Sequence, residues 1–141
     1  MNKTIGILGG LGPQSTLYLY SKIIKIAQDK FDAVYPKILI NSVDMWKVEA
    51  ILESKDLLAT YILDEIKKIK NQVTLICMPC NTAHIIESEI RKNIDVPFIS
   101  IIEEVCSTVE NRNHHRVGLI ATDKTISTEL YQTRLSSFVA N

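Results

Sequence analysis

At 141 residues the chain holds about one domain's worth of sequence, and a hydrophobic content of 46% is ample for a core. Its 16 basic residues balance 16 acidic ones, so no nucleic-acid surface and no anionic-membrane patch is expected. No apolar run approaches the ~18 residues that cross a bilayer, the N-terminus lacks a signal-peptide pattern, and 3 cysteines make no disulfide framework; a soluble protein of the reducing cytoplasm is expected.

The first strand is Thr4 to Leu8, closing in Gly9-Gly10-Leu11-Gly12-Pro13, a loop that lets a ligand approach the backbone. Helix one runs from about Ser15 to Lys30, with Leu17, Tyr20, Ile24 and Ala27 on one face. Strand two is Lys37 to Asn41. From Ser42 to Lys55 the pattern is weak, with a short helix around Val48 to Leu52. Helix two, Asp56 to Lys70, carries Leu58, Ile62, Ile66 and Ile69 at helical spacing.

Strand three ends the run Val73 to Met78 at Pro79, which has no N–H to give a ladder. Cys80-Asn81-Thr82 follows at once, then the helical spacing Ala83, Ile86, Ile90 over about Asn81 to Lys92. This strand–turn–helix delivers a thiol to a helix N-terminus, where free amides and the dipole favour a thiolate. Asn81 and Thr82 suit a cap, and their side chains also suit a carboxylate. The plainer reading of Cys80 is a small apolar filler. Its position at the carboxyl end of a strand, where open α/β sheets bind ligands, weighs against that reading.

Val96 to Ser100 is a short strand four and Ile102 to Asn111 a fourth helix. Asn111 to His115 is a polar connection and marks a boundary, dividing residues 1–112 from 113–141. Val117 to Ala121 reads as strand five, and Ile126 to Phe138 as helix five. The alternation predicts an α/β fold, a parallel sheet flanked by helices with right-handed crossovers.

Several separated motifs fall in one order: I-G-I-L-G-G-L-G-P-Q-S-T, C-N-T-A-H, V-P-F-I-S-I-I and V-G-L-I-A-T-D-K-T-I-S-T-E-L-Y. In these the chain resembles the aspartate/glutamate racemase family, amino-acid racemases that use two cysteines and no pyridoxal phosphate. The resemblance implies two similar lobes with the active site between them. This chain would supply the N-terminal lobe and the opening strand–helix unit of the second. By the resemblance, Cys80 is the first catalytic cysteine, Asn81 and Thr82 bind the substrate carboxylate, and Thr125 contacts substrate from the second lobe. Gly10 and Leu11 would sit beside the substrate. It implies a small amino-acid substrate, aspartate or glutamate, with no cofactor and no metal, and a homo-oligomer, a dimer, is expected. Thr122 and Ser127 read more simply as turn and cap residues.

Two departures stand out. The family's second cysteine lies in a G-C-T motif that this sequence lacks; Cys77 and Cys106 read as core fillers. Near Met45-Trp46-Lys47, where aspartate-preferring members carry an arginine, Lys47 is the available cation, lacking the arginine fork and read more simply as a solvated surface lysine. A non-catalytic remnant or an interaction protein is the alternative these departures raise. Cys77-Met78-Pro79-Cys80 also admits a thioredoxin-like redox reading, against which stands Cys77 inside a strand. The glycine loop puts Ser15 where a dinucleotide fingerprint has its third glycine, and His84 has the wrong spacing for a zinc finger. His84 reads as a helix-face residue beside the site.

Overall fold

The structure, a computed structural model, describes residues 3–136 and residue 138. Four strands, β1 Thr4–Gly9, β2 Lys37–Ser42, β3 Leu75–Cys77 and β4 Phe98–Ile99, form one parallel sheet in the order β2-β1-β3-β4. Ile5 stands opposite Ile38 on one side and Leu75 on the other, and Ile76 stands opposite Phe98. β1 is therefore central, and Ile7 and Leu8 are fully buried. This is why T-I-G-I-L is nearly continuous in apolar character instead of alternating.

Seven α-helices accompany the sheet among the described residues: α1 Pro13–Lys30, α2 Met45–Ile51, α3 Lys55–Lys67, α4 Glu87–Asn93, α5 Ile101–Asn111, α6 Asp123–Ser127 and α7 Leu130–Leu135. Side chains of Asp44, Ser54, Ser100 and Thr122 cap α2, α3, α5 and α6 by accepting a hydrogen bond from a main-chain N–H in each first turn. The main core lies between the sheet and α3, α4 and their flanking turns, where Leu58, Ile62, Ile66, Ile76, Ile86 and Ile90 are fully buried. Each such side chain contributes roughly 1.5–3 kcal/mol of transfer free energy. A smaller cluster of Ile102, Cys106, Tyr131 and Leu135 seals α7 onto α5.

Four expectations are corrected. The buried face of α1 carries Thr16 and Ala27, while Leu17 and Tyr20 are 61% and 41% exposed. The tight turn after β1 decides this by seating Thr16 on the glycines, where its Oγ1 accepts from the Gly10 amide at 3.1 Å. Residues 117–121 form no strand; they are extended and largely exposed, with Ile120 fully so. Apolar, β-prone residues make a strand only where another strand offers its backbone, and among the described residues none lies beside them. The helix expected over Ile126 to Phe138 is two short helices, because Glu129 takes a left-handed φ of 52° between them. The helix expected from Asn81 begins as a 3₁₀ turn, Thr82–Ile86, and becomes α-helical only at Glu87.

Gly10 has φ of +84°, and a Cβ there would stand 2.5 Å from the Val43 carbonyl oxygen. Gly10→Ala is expected to lower unfolding free energy in urea by about 1–3 kcal/mol, whereas Gly118→Ala, where a Cβ meets nothing within 4 Å, leaves it unchanged. Equal stability of the two variants would contradict this packing.

Candidate active site

Parallel strands bring their carboxyl ends to one edge, and a cavity of about 800 Å³ opens there. Its walls come from the loop after β1, one side of α1, α2, the turn after β3, the start of α5, and residues 121–125. Cys80, Asn81, Thr82, Leu11 and Thr125 all line it. Gly10 and Lys47 do not. Gly10 packs against Val43 behind the loop, and Lys47 is an exposed residue of α2. Gly10 is needed for backbone packing, and α2 leaves its lysine exposed.

Cys80 follows Pro79 in a tight bend closed by its own amide, which donates to the Met78 carbonyl at 2.9 Å. The amides of Ala83 and Thr82 hydrogen-bond its sulfur and favour the thiolate. Burial works against them and is the larger effect, so the thiol stays above its ordinary range. The expected acidified thiol is corrected accordingly. The cause is burial at the cavity wall, and the element after it is a five-residue 3₁₀ turn. Cys77 also lines the cavity, but its Sγ donates to the Gly6 carbonyl at 3.6 Å and burial pushes it up to about 11. That placement suits a strand filler rather than a redox partner. Burial also pushes the Cys106 thiol up.

Three hydroxyls meet beside Cys80. Thr82 Oγ1 lies 2.9 Å from Thr125 Oγ1 and 3.2 Å from Thr122 Oγ1, and Thr122 donates to Thr125 at 3.1 Å. Thr125 is only 1% exposed, so Thr82 and Thr122 front the cluster and Thr125 backs it. Thr122 is a cap, as its sequence suggests, and a member of this cluster as well. Hydroxyl hydrogens rotate, so such a cluster can turn donors toward an entering carboxylate. Asn81 is fixed from behind: the Tyr131 hydroxyl donates to its Oδ1 at 2.7 Å, which leaves the amide NH₂ free to donate.

Sequence reasoning missed Tyr131 and Lys124. Lys124 lines the cavity and is ion-paired with Glu53 at 2.7 Å. Both lie within the T-D-K-T-I-S-T-E-L-Y stretch, so proximity to Thr125 was the available signal. Among the described residues no group of three or more His, Cys, Asp or Glu side chains is placed to hold a metal. No helix there is long and apolar enough to cross a membrane.

Residues 8–141 match the Asp/Glu/Hydantoin racemase family. The chain belongs to that family. It is 31% identical over 133 residues to the broad specificity amino-acid racemase RacX of Bacillus subtilis, a match covering 91% of this chain and 58% of that protein. Its fold superposes on an aspartate racemase homologue from Pyrococcus horikoshii with a TM-score of 0.86 at 30% identity, covering 99% of this chain and 62% of the other. An aspartate racemase from Picrophilus torridus gives 0.82 at 25% identity, over 99% and 61%. The chain thus spans about 60% of the length of these family members.

Brief iodoacetamide treatment near neutral pH, followed by peptide mapping, is expected to label Cys80 ahead of Cys77 and Cys106. Cys80 faces the cavity and has two amide donors for its sulfur. Equal or slower labelling at Cys80 would count against this site.

Proposed function

We propose that the chain carries the Cys80 half of a cofactor-independent amino-acid racemase site. The observation that supports this best is the convergence of a thiol, the Asn81 amide and the Thr82–Thr122–Thr125 hydroxyls on one cavity. Racemisation needs a base on one face of the α-carbon and an acid on the other. The α-proton is weakly acidic, so the site must stabilise carbanion character as it develops. In this reading the Cys80 thiolate removes the α-proton of one enantiomer. Asn81, Thr82 and Thr122 donate hydrogen bonds to the substrate carboxylate, onto which the charge spreads, and Thr125 holds Thr82 and Thr122 in place. In the opposite direction the Cys80 thiol returns a proton to the same face.

The raised thiol pKa is compatible with this role. A thiolate that forms reluctantly in water-poor surroundings is a stronger base once formed. The cost is a smaller thiolate fraction at neutral pH, and the two amide donors limit that cost.

An aspartate or glutamate side-chain carboxylate would find a cation in Lys124 or Lys22, both of which line the cavity, rather than in Lys47. Residues 1–112 would form one lobe of such a site and residues 113–141 the opening of a second. The acid facing Cys80 is the family's second cysteine, which the sequence does not contain in its G-C-T setting. A homodimer of the cytoplasm is the setting in which we place this half-site.

Incubation of each enantiomer of aspartate and glutamate in D₂O, with chiral analysis, tests the proposal. We expect no useful inversion by this chain alone, but α-deuteration of one enantiomer with retention, abolished in Cys80→Ala. Robust inversion by a monodisperse wild-type monomer would show a second proton-transfer group that this reading lacks. Absence of any exchange would remove Cys80 as the base.

A further inference from the structure

His84 closes the C-N-T-A-H motif, yet it is no helix-face residue. Its side chain is 2% exposed, and both ring nitrogens are engaged by the main chain. Nδ1 lies 2.7 Å from the Cys80 carbonyl oxygen, and Nε2 lies 3.3 Å from the Ile101 amide nitrogen. A carbonyl can only accept and an amide N–H can only donate. The two contacts therefore define one form of the ring: neutral, with its proton on Nδ1. The charged groups that act on the ring are Glu87 and Arg91 of α4 and Glu103 of α5; β4 contributes only Phe98, 5.6 Å away. Burial is the largest influence and holds the imidazole below its ordinary range, in keeping with the neutral form.

The geometry has a consequence for the turn. In an α-helix the Cys80 carbonyl would be taken by the amide four residues on, which is the amide of His84. Here that amide donates instead to the Asn81 carbonyl at 3.0 Å, a 3₁₀ bond, and the imidazole of the same residue takes the Cys80 carbonyl. The side chain thus substitutes for its own backbone. The turn stays tightly wound over 82–86, which keeps the amides of Thr82 and Ala83 on the side of the Cys80 sulfur, where they favour its thiolate. Through Nε2 the same ring ties this turn to the first residue of α5.

We propose that His84 is a positioning residue for Cys80: its Nδ1–H holds the Cys80 carbonyl so that the Thr82 and Ala83 amides stay aimed at the sulfur. His84 hydrogen-bonds only main-chain atoms and acts through the backbone. The inference rests on the reading of Cys80 as the reacting group, but its test reads the sulfur directly and needs no turnover.

The alternative is that His84 merely anchors the turn to α5. Two substitutions separate the roles. In His84→Asn the side-chain NH₂ takes the place of Nδ1–H, keeping the donor to Cys80 and losing the acceptor for Ile101. In His84→Gln the amide oxygen reaches the place of Nε2, keeping Ile101 and losing Cys80. The measurement is the pH dependence of iodoacetamide alkylation at Cys80, by peptide mapping, with Cys77 and Cys106 as internal references. Circular dichroism establishes that each variant is folded. Wild type and His84→Asn are expected to share one profile. His84→Gln is expected to move to higher pH, with the Cys80 rate near pH 8 reduced about threefold or more, as the loss of one hydrogen bond implies. A His84→Gln profile matching wild type, or equal displacement in both variants, would overturn the proposal and leave only an anchor. Failure of the D₂O exchange with this split intact would reject the racemase reading and keep the positioning role.

Discussion

A parallel sheet forces every strand to finish at the same edge, and the site depends on that constraint. β1, β3 and β4 run side by side in register, so the loop after Gly9, the bend after Cys77 and the start of α5 meet whatever their separation in sequence. The alternating burial of β3 fixes its register, because a one-residue slip would exchange fully buried Ile76 with the half-buried positions of Leu75 and Cys77. The hydrogen bonds of the site are then made by residues that have little freedom to be elsewhere. Thr82 meets Thr122 and Thr125 across 40 and 43 residues of chain. Tyr131 reaches Asn81 across 50.

The second constraint is a conflict between burial and charge. A proton-transfer thiol is most useful as an anion, and the cavity that shelters it from water disfavours the anion. Two main-chain amides are the local answer at Cys80, and they only partly offset burial. The ion pairs around α4, α5 and α7 resolve the same conflict more completely. Burial pushes the Glu87 carboxyl up, but hydrogen bonds from Ser100 at 2.7 Å and Arg91 at 2.7 Å outweigh it and hold it below its ordinary range. Arg134 of α7 pairs with Glu103 of α5 at 2.8 Å. These contacts hold α7, and with it Tyr131, against the turn that carries Cys80.

The parallel α/β fold was legible because strands one to three are apolar runs punctuated by Gly, Pro and polar turns, and because helix two shows clean spacing. The Cys80 turn was legible for the same reason: Pro79 ends a ladder wherever it occurs. The buried face of α1 was not. Leu17 and Tyr20 have helical spacing, but which face meets the sheet is set by Thr16 docking on Gly9 and Gly10, a contact with no periodic signature. Residues 117–121 have strand composition without a strand beside them among the described residues. The 3₁₀ start after Cys80 was hidden because it depends on an imidazole taking a carbonyl, and the same contact turns His84 from a surface residue into a buried one. Thr122, Lys124 and Tyr131 enter the site only through the fold that carries residues 121–131 back to the strand ends.

The most direct measurement is protection of Cys80 by an amino acid. If the thiol, Asn81 and the hydroxyl cluster form one carboxylate-binding site, aspartate or glutamate at high millimolar concentration should slow alkylation of Cys80. Labelling of Cys77 and Cys106 should stay unchanged, and Thr82→Val should remove the protection. Unchanged Cys80 labelling at every amino-acid concentration, or equal slowing of all three cysteines, would contradict the assignment of this cavity as the substrate site.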